Sequence, residues 1–210
     1  MGACSHGPSG VWHSVAVNVF RPALGNERAL ALARAALSRP RSPFDSLPDR
    51  LVLVDVSRQR LTLIEGDRPV SEYPASTAAA GIGGEEGSFR TPPGWHRIVA
   101  RIGAGMPGGA VFESRAPTGA VWRGEPTEDD LIITRILTLE GLEDSVNRGP
   151  GCDSLGRYIY IHGTNHLAEL GRPASHGCVR LSSEDIAELF ERVKEGDAVV
   201  IVEGEPGAAA

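Results

Sequence analysis

The chain has 210 residues, of which 41% are hydrophobic and 23% charged, and its net charge at pH 7 is −6. That length suits one compact domain with a modest extension, and the mild acidity argues against a nucleic-acid-binding surface. With 26 glycines and 15 prolines, the composition favours short strands and many turns over a helical bundle, and it excludes disorder, collagen and coiled coil.

Residues 1–20 read as a loose arm or a short edge strand. The start has no basic segment and no long apolar run, and nothing approaches the roughly 20 apolar residues of a membrane span. As written, the chain is expected to be soluble and cytoplasmic, with a periplasmic or cell-wall location if the start is truncated. Three cysteines, Cys4, Cys152 and Cys178, do not make a disulfide framework, and no apolar run precedes Cys4 to support a lipid anchor.

Asn26 opens an amphipathic helix whose apolar face is Leu30, Leu32, Ala33, Ala36 and Leu37, with Asn26 itself as the cap. Arg39-Pro40-Arg41-Ser42-Pro43 ends it, since proline lacks the ladder donor. This Pro-rich segment is the linker, with a boundary near Pro48. From there the pattern is β. Strands are predicted at 51–56, 60–65, 70–75, 95–102, 111–114, 120–122, 131–139 and 158–161, with a last one at 198–202. Gly81–Gly87 is a glycine-rich loop, and 147–153 is a Gly/Pro loop. Residues 182–193 form the clearest helix, with Ile186, Leu189, Phe190 and Val193 at helical spacing and Ser182 with Asp185 as a capping pair.

Two segments carry chemistry. In Tyr160-Ile161-His162-Gly163-Thr164-Asn165 a histidine ends an apolar strand, where a side chain is both fixed and accessible. In Ser175-His176-Gly177-Cys178-Val179-Arg180-Leu181 a cysteine follows a glycine between His and Arg. A thiol is a strong nucleophile only as thiolate, and a neighbouring imidazole or cation lowers its pKa toward neutrality. His162 and His176 are the candidate bases, and Arg180 adds positive potential. The N–H groups of Gly177 and Cys178 are candidate oxyanion donors. Against this stands the bland alternative, an inert buried cysteine. Zinc is a third reading, because Cys152, His162, His166, His176 and Cys178 are close in sequence. Gly163 and Asn165 make a turn there, however, and there is no CxxC pair, so no metal is expected.

His162-Gly163-Thr164-Asn165 followed by Ser175-His176-Gly177-Cys178-Val179-Arg180-Leu181 resembles the signature of the L,D-transpeptidase (YkuD) catalytic domain. Asp55–Leu63 resembles that family's opening hairpin, and Ser76-Thr77 with Thr91-Pro92-Pro93-Gly94 its "ST…TPxG" stretch. The resemblance covers roughly residues 50–203. It divides the chain into an N-terminal extension at 1–49, a catalytic domain at 50–203 and a tail at 204–210. It implies a mostly β (α+β) fold, a sandwich or partly closed barrel with one or two small helices.

It further implies a cysteine acyl-enzyme acting on peptidoglycan stem peptides or muropeptides. Cys178 would attack the carbonyl of the diamino acid, expel D-Ala, and pass the acyl group to an amine or to water. His162 would be the base, oriented by the Gly163 carbonyl. His176 would assist, and Gly177 and Cys178 would hold the oxyanion. Arg180, Ser175 and Arg172 are the substrate-binding candidates. No cofactor is implied, and carbapenem-type inhibitors are expected to acylate the same thiol. The alternatives are a cytoplasmic L,D-carboxypeptidase of muropeptide recycling, a non-catalytic peptide binder on the same fold, and a sortase-like transpeptidase, whose pattern the SHGC stretch fits poorly.

Overall fold

The computed structural model describes residues 26–204. The arm or strand expected at 1–20, the Asn26 cap and most of the tail lie outside the described residues or side chains. Helix α1 (Asn26–Leu37) is followed by strands β1 (Arg50–Asp55), β2 (Arg60–Glu65), β3 (Arg68–Pro74) and β4 (Gly94–Ile102). Then come β5 (Ala110–Glu113), β6 (Ala116–Val121), β7 (Ile132–Gly141), β8 (Tyr160–Thr164) and β9 (Val179–Leu181). Helix α2 (Ser183–Arg192) and β10 (Ala198–Val202) complete the chain. Among the described residues no helix is long and apolar enough to cross a membrane.

The ten strands form one mixed sheet, in the order β3-β2-β1-β10-β4-β7-β5-β6, which branches at β7 to carry β8 and then β9. The fold is mostly β with two helices, as the sequence predicts, but the sheet does not close into a barrel. Two pairs are parallel, β1 with β10 and β8 with β9. A parallel neighbour cannot be reached by a tight turn, so it needs a long crossover. The β8–β9 crossover joins the two predicted chemical motifs, the first on β8 and the second ending on β9.

Strand alternation divides the apolar residues between two layers. On one face Val52 and Val54 of β1, Leu61 and Leu63 of β2, Leu137 and Leu139 of β7 and Val199 and Ile201 of β10 pack around α2 through Ile186, Leu189 and Phe190. On the other face Leu51, Leu53, Ile64, Trp95 and Val200 are covered by α1 through Ala29, Leu32, Ala33 and Ala36. A sheet covered on both faces explains why β1 and β10 read as unbroken apolar runs. Each fully buried Leu, Ile or Val there contributes about 1.5–3 kcal/mol of transfer free energy. Phe44 in the segment after α1 stacks edge-on against Trp95 at 5.0 Å, and the Trp95 indole N–H donates to the Ala36 carbonyl. The segment before β1 is thus packed against the sheet.

The cap of α2 is as predicted: Ser182 Oγ accepts the Asp185 N–H at 3.0 Å. The strand predicted from Tyr158 begins two residues later. Tyr158 sits at φ +60, in a turn closed by its N–H to the Leu155 carbonyl, and its ring is exposed. Turn geometry there overrides the β propensity of a Tyr-Ile-Tyr-Ile run. The three-residue β9 was not predicted, because it is too short to show a period.

Candidate active site

Strand period decides which side chains meet. Ile161 pairs with Val179 and His162 with Arg180 across β8 and β9. Ile161, Val179 and Leu181 face the α2 core, so Tyr160 and His162 on β8 share the opposite face with Cys178 and Arg180. Cys178, immediately before β9, packs against a small cluster of Ala110, Phe112, Ile136 and Tyr160. His162 lies one step diagonally across the parallel pair from it. The two motifs separated in sequence are therefore neighbours on one sheet face.

His162 is buried, and its Nδ1 lies 2.9 Å from the Gly163 carbonyl oxygen. That oxygen can only accept, so Nδ1 carries the hydrogen and Nε2 is left with its lone pair. Burial lowers the imidazole pKa to about 4, although the Gly163 bond and the Asp130 carboxylate oppose the shift. The ring is neutral at physiological pH.

Cys178 is half-buried, and its thiol donates to the Tyr158 carbonyl at 3.4 Å. The sequence predicts a thiol lowered toward neutrality; the structure reverses this. Burial pushes it up to about 11, against the downward pull of a Tyr160 backbone hydrogen bond and of Arg180 and Arg157. The expected cations are present, but the loss of water around the sulfur outweighs them. At rest the site holds a neutral thiol and a neutral imidazole on one sheet face, and attack must be coupled to proton transfer.

The loop holding Cys178 is braced from inside. Ser175 Oγ donates to the Cys178 carbonyl at 2.6 Å and accepts the Gly177 N–H at 3.2 Å. Thr91 Oγ1 accepts the Ala78 N–H and donates to the Gly177 carbonyl. The Ser76 N–H and carbonyl exchange bonds with the carbonyl and N–H of Arg180, and Gln59 grips Thr77 through both ends of its amide. The Ser76-Thr77 and Thr91-Pro92 stretches are thus the buttress of the cysteine loop.

These contacts correct two sequence expectations. Ser175 is buried and its hydroxyl is engaged twice within the loop, so it shapes the turn and does not face a substrate. The Gly177 N–H is engaged by Ser175, so in this conformation it is not a free oxyanion donor. Gly177 serves the backbone: its φ is +134, and a Cβ there would stand 3.1 Å from Ile159 Cδ1.

A third correction concerns Arg180. Its side chain is only 3% exposed and is paired with Asp130 and, at 2.9 Å, with Glu169. A buried arginine must be paired, and both carboxylates come from the protein, so it is not an open receptor for a substrate carboxylate. His176 is on the surface; its Nδ1 lies 3.9 Å from Asp130 Oδ2 and its ring meets Phe89 edge-on at 6.0 Å. Its polar contact is with Asp130 and not with the thiol. Arg172 is exposed beyond the short 3-10 turn at Leu167–Glu169, and its carbonyl accepts the Ser76 hydroxyl.

Several residues around the thiol carry no signal in the sequence. Phe89 and Tyr158 are exposed aromatics with φ of +55 and +60, an arrangement that costs about 1–3 kcal/mol each and concentrates at functional sites. Arg115 lies 4.7 Å over the Tyr158 ring and donates to Tyr160 Oη. Arg157 donates to the carbonyls of Gly83, Gly84 and Arg90, fastening the glycine-rich loop beside the site. The positive φ of an aromatic residue has no signature in a sequence. Asn165, by contrast, lay in the quoted motif. Among the described residues no group of three or more His, Cys, Asp or Glu is arranged to hold a metal ion.

A family model described as the L,D-transpeptidase catalytic domain, YkuD, matches residues 49–201. The chain belongs to the YkuD family of L,D-transpeptidase catalytic domains. The relatives of this YkuD chain include "Probable L,D-transpeptidase YbiS" of Escherichia coli K12, 31% identical over 171 residues, covering 75% of this chain and 49% of the relative. Another is "Probable L,D-transpeptidase ErfK/SrfK" of Salmonella typhimurium LT2, 29% identical over 170 residues, covering 75% and 48%. The chain thus spans about half the length of these relatives. Among solved structures, L,D-transpeptidase 3 from Mycobacterium tuberculosis in complex with a faropenem-derived adduct is 18% identical, with a TM-score of 0.47, covering 73% of this chain and 60% of that one.

Proposed function

We propose that this YkuD domain is a cysteine acyltransferase acting on peptidoglycan stem peptides, with Cys178 as nucleophile and His162 as general base. The observation that carries the reading is the placing of both side chains on one face of the β8–β9 pair, with the His162 ring held by the Gly163 carbonyl so that Nε2 is the accepting nitrogen.

The thiol gives up its bond to the Tyr158 carbonyl, and Sγ attacks the carbonyl carbon of the diamino acid before D-Ala. The proton passes from Sγ to His162 Nε2 as the C–S bond forms. The tetrahedral oxyanion is held by the backbone N–H of Cys178, immediately before β9. Collapse breaks the C–N bond, the imidazolium returns its proton to the departing D-Ala amine, and a thioester remains. An amine acceptor, deprotonated by the same imidazole, then gives a 3→3 link; water gives a trimmed tripeptide. The first proton moves between partners that are uncharged at rest, which suits a site whose thiol lies near 11 and imidazole near 4.

The test is incubation with a disaccharide-tetrapeptide, with and without an added amine donor, followed by product masses. Loss of D-Ala with a joined product identifies transfer, and a tripeptide alone identifies hydrolysis. No loss of D-Ala, or equal loss by Cys178→Ala, overturns the proposal.

A further inference from the structure

Asp130 lies on the loop before β7, far in sequence from both motifs. The Asn165 side chain holds that loop on both sides of it: Oδ1 accepts the Leu131 N–H at 2.9 Å, and Nδ2 donates to the Asp129 carbonyl at 2.8 Å. Asn165 follows His162 by three residues, just past the end of β8, so the loop that leaves the base's strand sets the Asp130 backbone. The Asp130 carboxylate in turn bonds Arg180 and lies 3.9 Å from His176, both of the cysteine segment.

We infer that Asp130 is a positioning residue for the acyl-transfer reaction, a carboxylate bracketed by the histidine loop and bonded to the cysteine loop, which stabilises the imidazolium that forms on His162 during attack. The inference rests on the function proposed above. Its charge acts on both partners: it raises the pKa of His162, which favours the protonated ring, and raises that of Cys178, which keeps the thiol protonated until attack. The other charged groups near the pair are Arg180 on β9 and Arg157 from the loop before β8. Glu169 faces Arg180, His176 faces Asp130, and Glu85 and Glu86 face Arg157. Arg180 opposes protonation of His162, and Asp130 with Glu169 offsets it.

The consequence is an opposition that loss of fold alone does not produce. In Asp130→Asn the ionisation midpoint of Cys178, followed by iodoacetamide alkylation against pH and mapped by peptide mass, falls by about one unit. Acylation of the same thiol by a carbapenem slows about tenfold, because the imidazolium has lost its counter-charge. Asp130→Glu keeps the charge and restores both readings. Asn165→Ala, which frees the loop but leaves the carboxylate, shifts both in the direction of Asp130→Asn by less. An unmoved alkylation midpoint in Asp130→Asn, or failure of Asp130→Glu to restore it, overturns the inference. If wild type is not acylated by the carbapenem, the proposed function fails, and the alkylation profile still decides whether Asp130 governs the thiol.

Discussion

The Nδ1 of His162 is 2.9 Å from the carbonyl oxygen of Gly163, the very next residue. A single peptide unit therefore fixes both the tautomer and the tilt of the ring. His162→Gln is expected to slow carbapenem acylation by about 10²–10⁴-fold, the usual share of general base catalysis. Stopped-flow absorbance at the β-lactam band measures it. Because the ring protonates near 4 and the thiol ionises near 11, the wild-type rate should be level from about pH 5 to 9. A narrow bell with limbs inside that range would contradict a neutral resting pair.

Gly163 also faces its neighbour strand closely. A Cβ at this position would stand 2.5 Å from the Ile133 carbonyl oxygen and 3.1 Å from Ile186 Cγ2. Gly163→Ala must push β8 away from β7 or α2, at a cost of about 1–3 kcal/mol. The urea midpoint should fall with the slope unchanged, and acylation should slow because the base moves with its strand.

Two imidazoles report on acid stability. His96 bridges the Gly94 carbonyl and Ser154 Oγ in the interior, and burial lowers it to about 4, as it does His162. Both are ordinarily near 6.5 in an unfolded chain. Between these values the unfolded chain binds protons that the native protein does not. Stability is therefore complete above about pH 6.5 and declines as pH falls toward 4, by up to about 1.4 kcal/mol per unit for each ring. Urea midpoints between pH 7.5 and 4.5 measure the slope. His96→Gln should flatten it without touching the thiol.

Arg157 ties the glycine-rich loop to the site through the carbonyls of Gly83, Gly84 and Arg90 and is one of the cations drawing the Cys178 pKa down. Arg157→Met should hasten proteolytic cleavage within 81–90 and raise the alkylation midpoint of Cys178. Arg157→Lys keeps the charge but not the fork of donors, so it should restore the midpoint and leave the loop sensitive. Equal behaviour of the two variants would refute this division.

The outer layer depends on Trp95, which is buried under α1 and bonded to Ala36. Trp95→Ala should cost about 3–5 kcal/mol in a urea titration. It belongs to the cluster under α1, which shares no residue with the one around Cys178, so the acylation rate of the protein that remains folded should be kept.

The neighbouring Cys178 and His162 and the capped helix were legible because each is a local pattern: SHGC, a histidine ending an apolar run, and Ser182 before Ile186 at helical spacing. What was not legible depends on the third dimension. Arg180 reads as a surface cation, and only its two carboxylate partners allow it inside. Ser175 reads as a substrate hydroxyl, yet folding turns it onto its own loop. Asp130 sits in a polar stretch with no period, and it matters only because Asn165 draws that stretch in. The thiol's raised pKa follows from burial, which no spacing of residues reveals.

The hydrogen that burial keeps on Cys178, donated to the Tyr158 carbonyl, has a chemical consequence of its own. Peroxides and other soft oxidants consume sulfur as the anion, and this sulfur is uncharged until a carbonyl is placed before it. On the proposed function, Cys178 thereby stays reduced where a permanently ionised thiol would drift to sulfenic acid, and its reactivity awaits the carbonyl it is to attack.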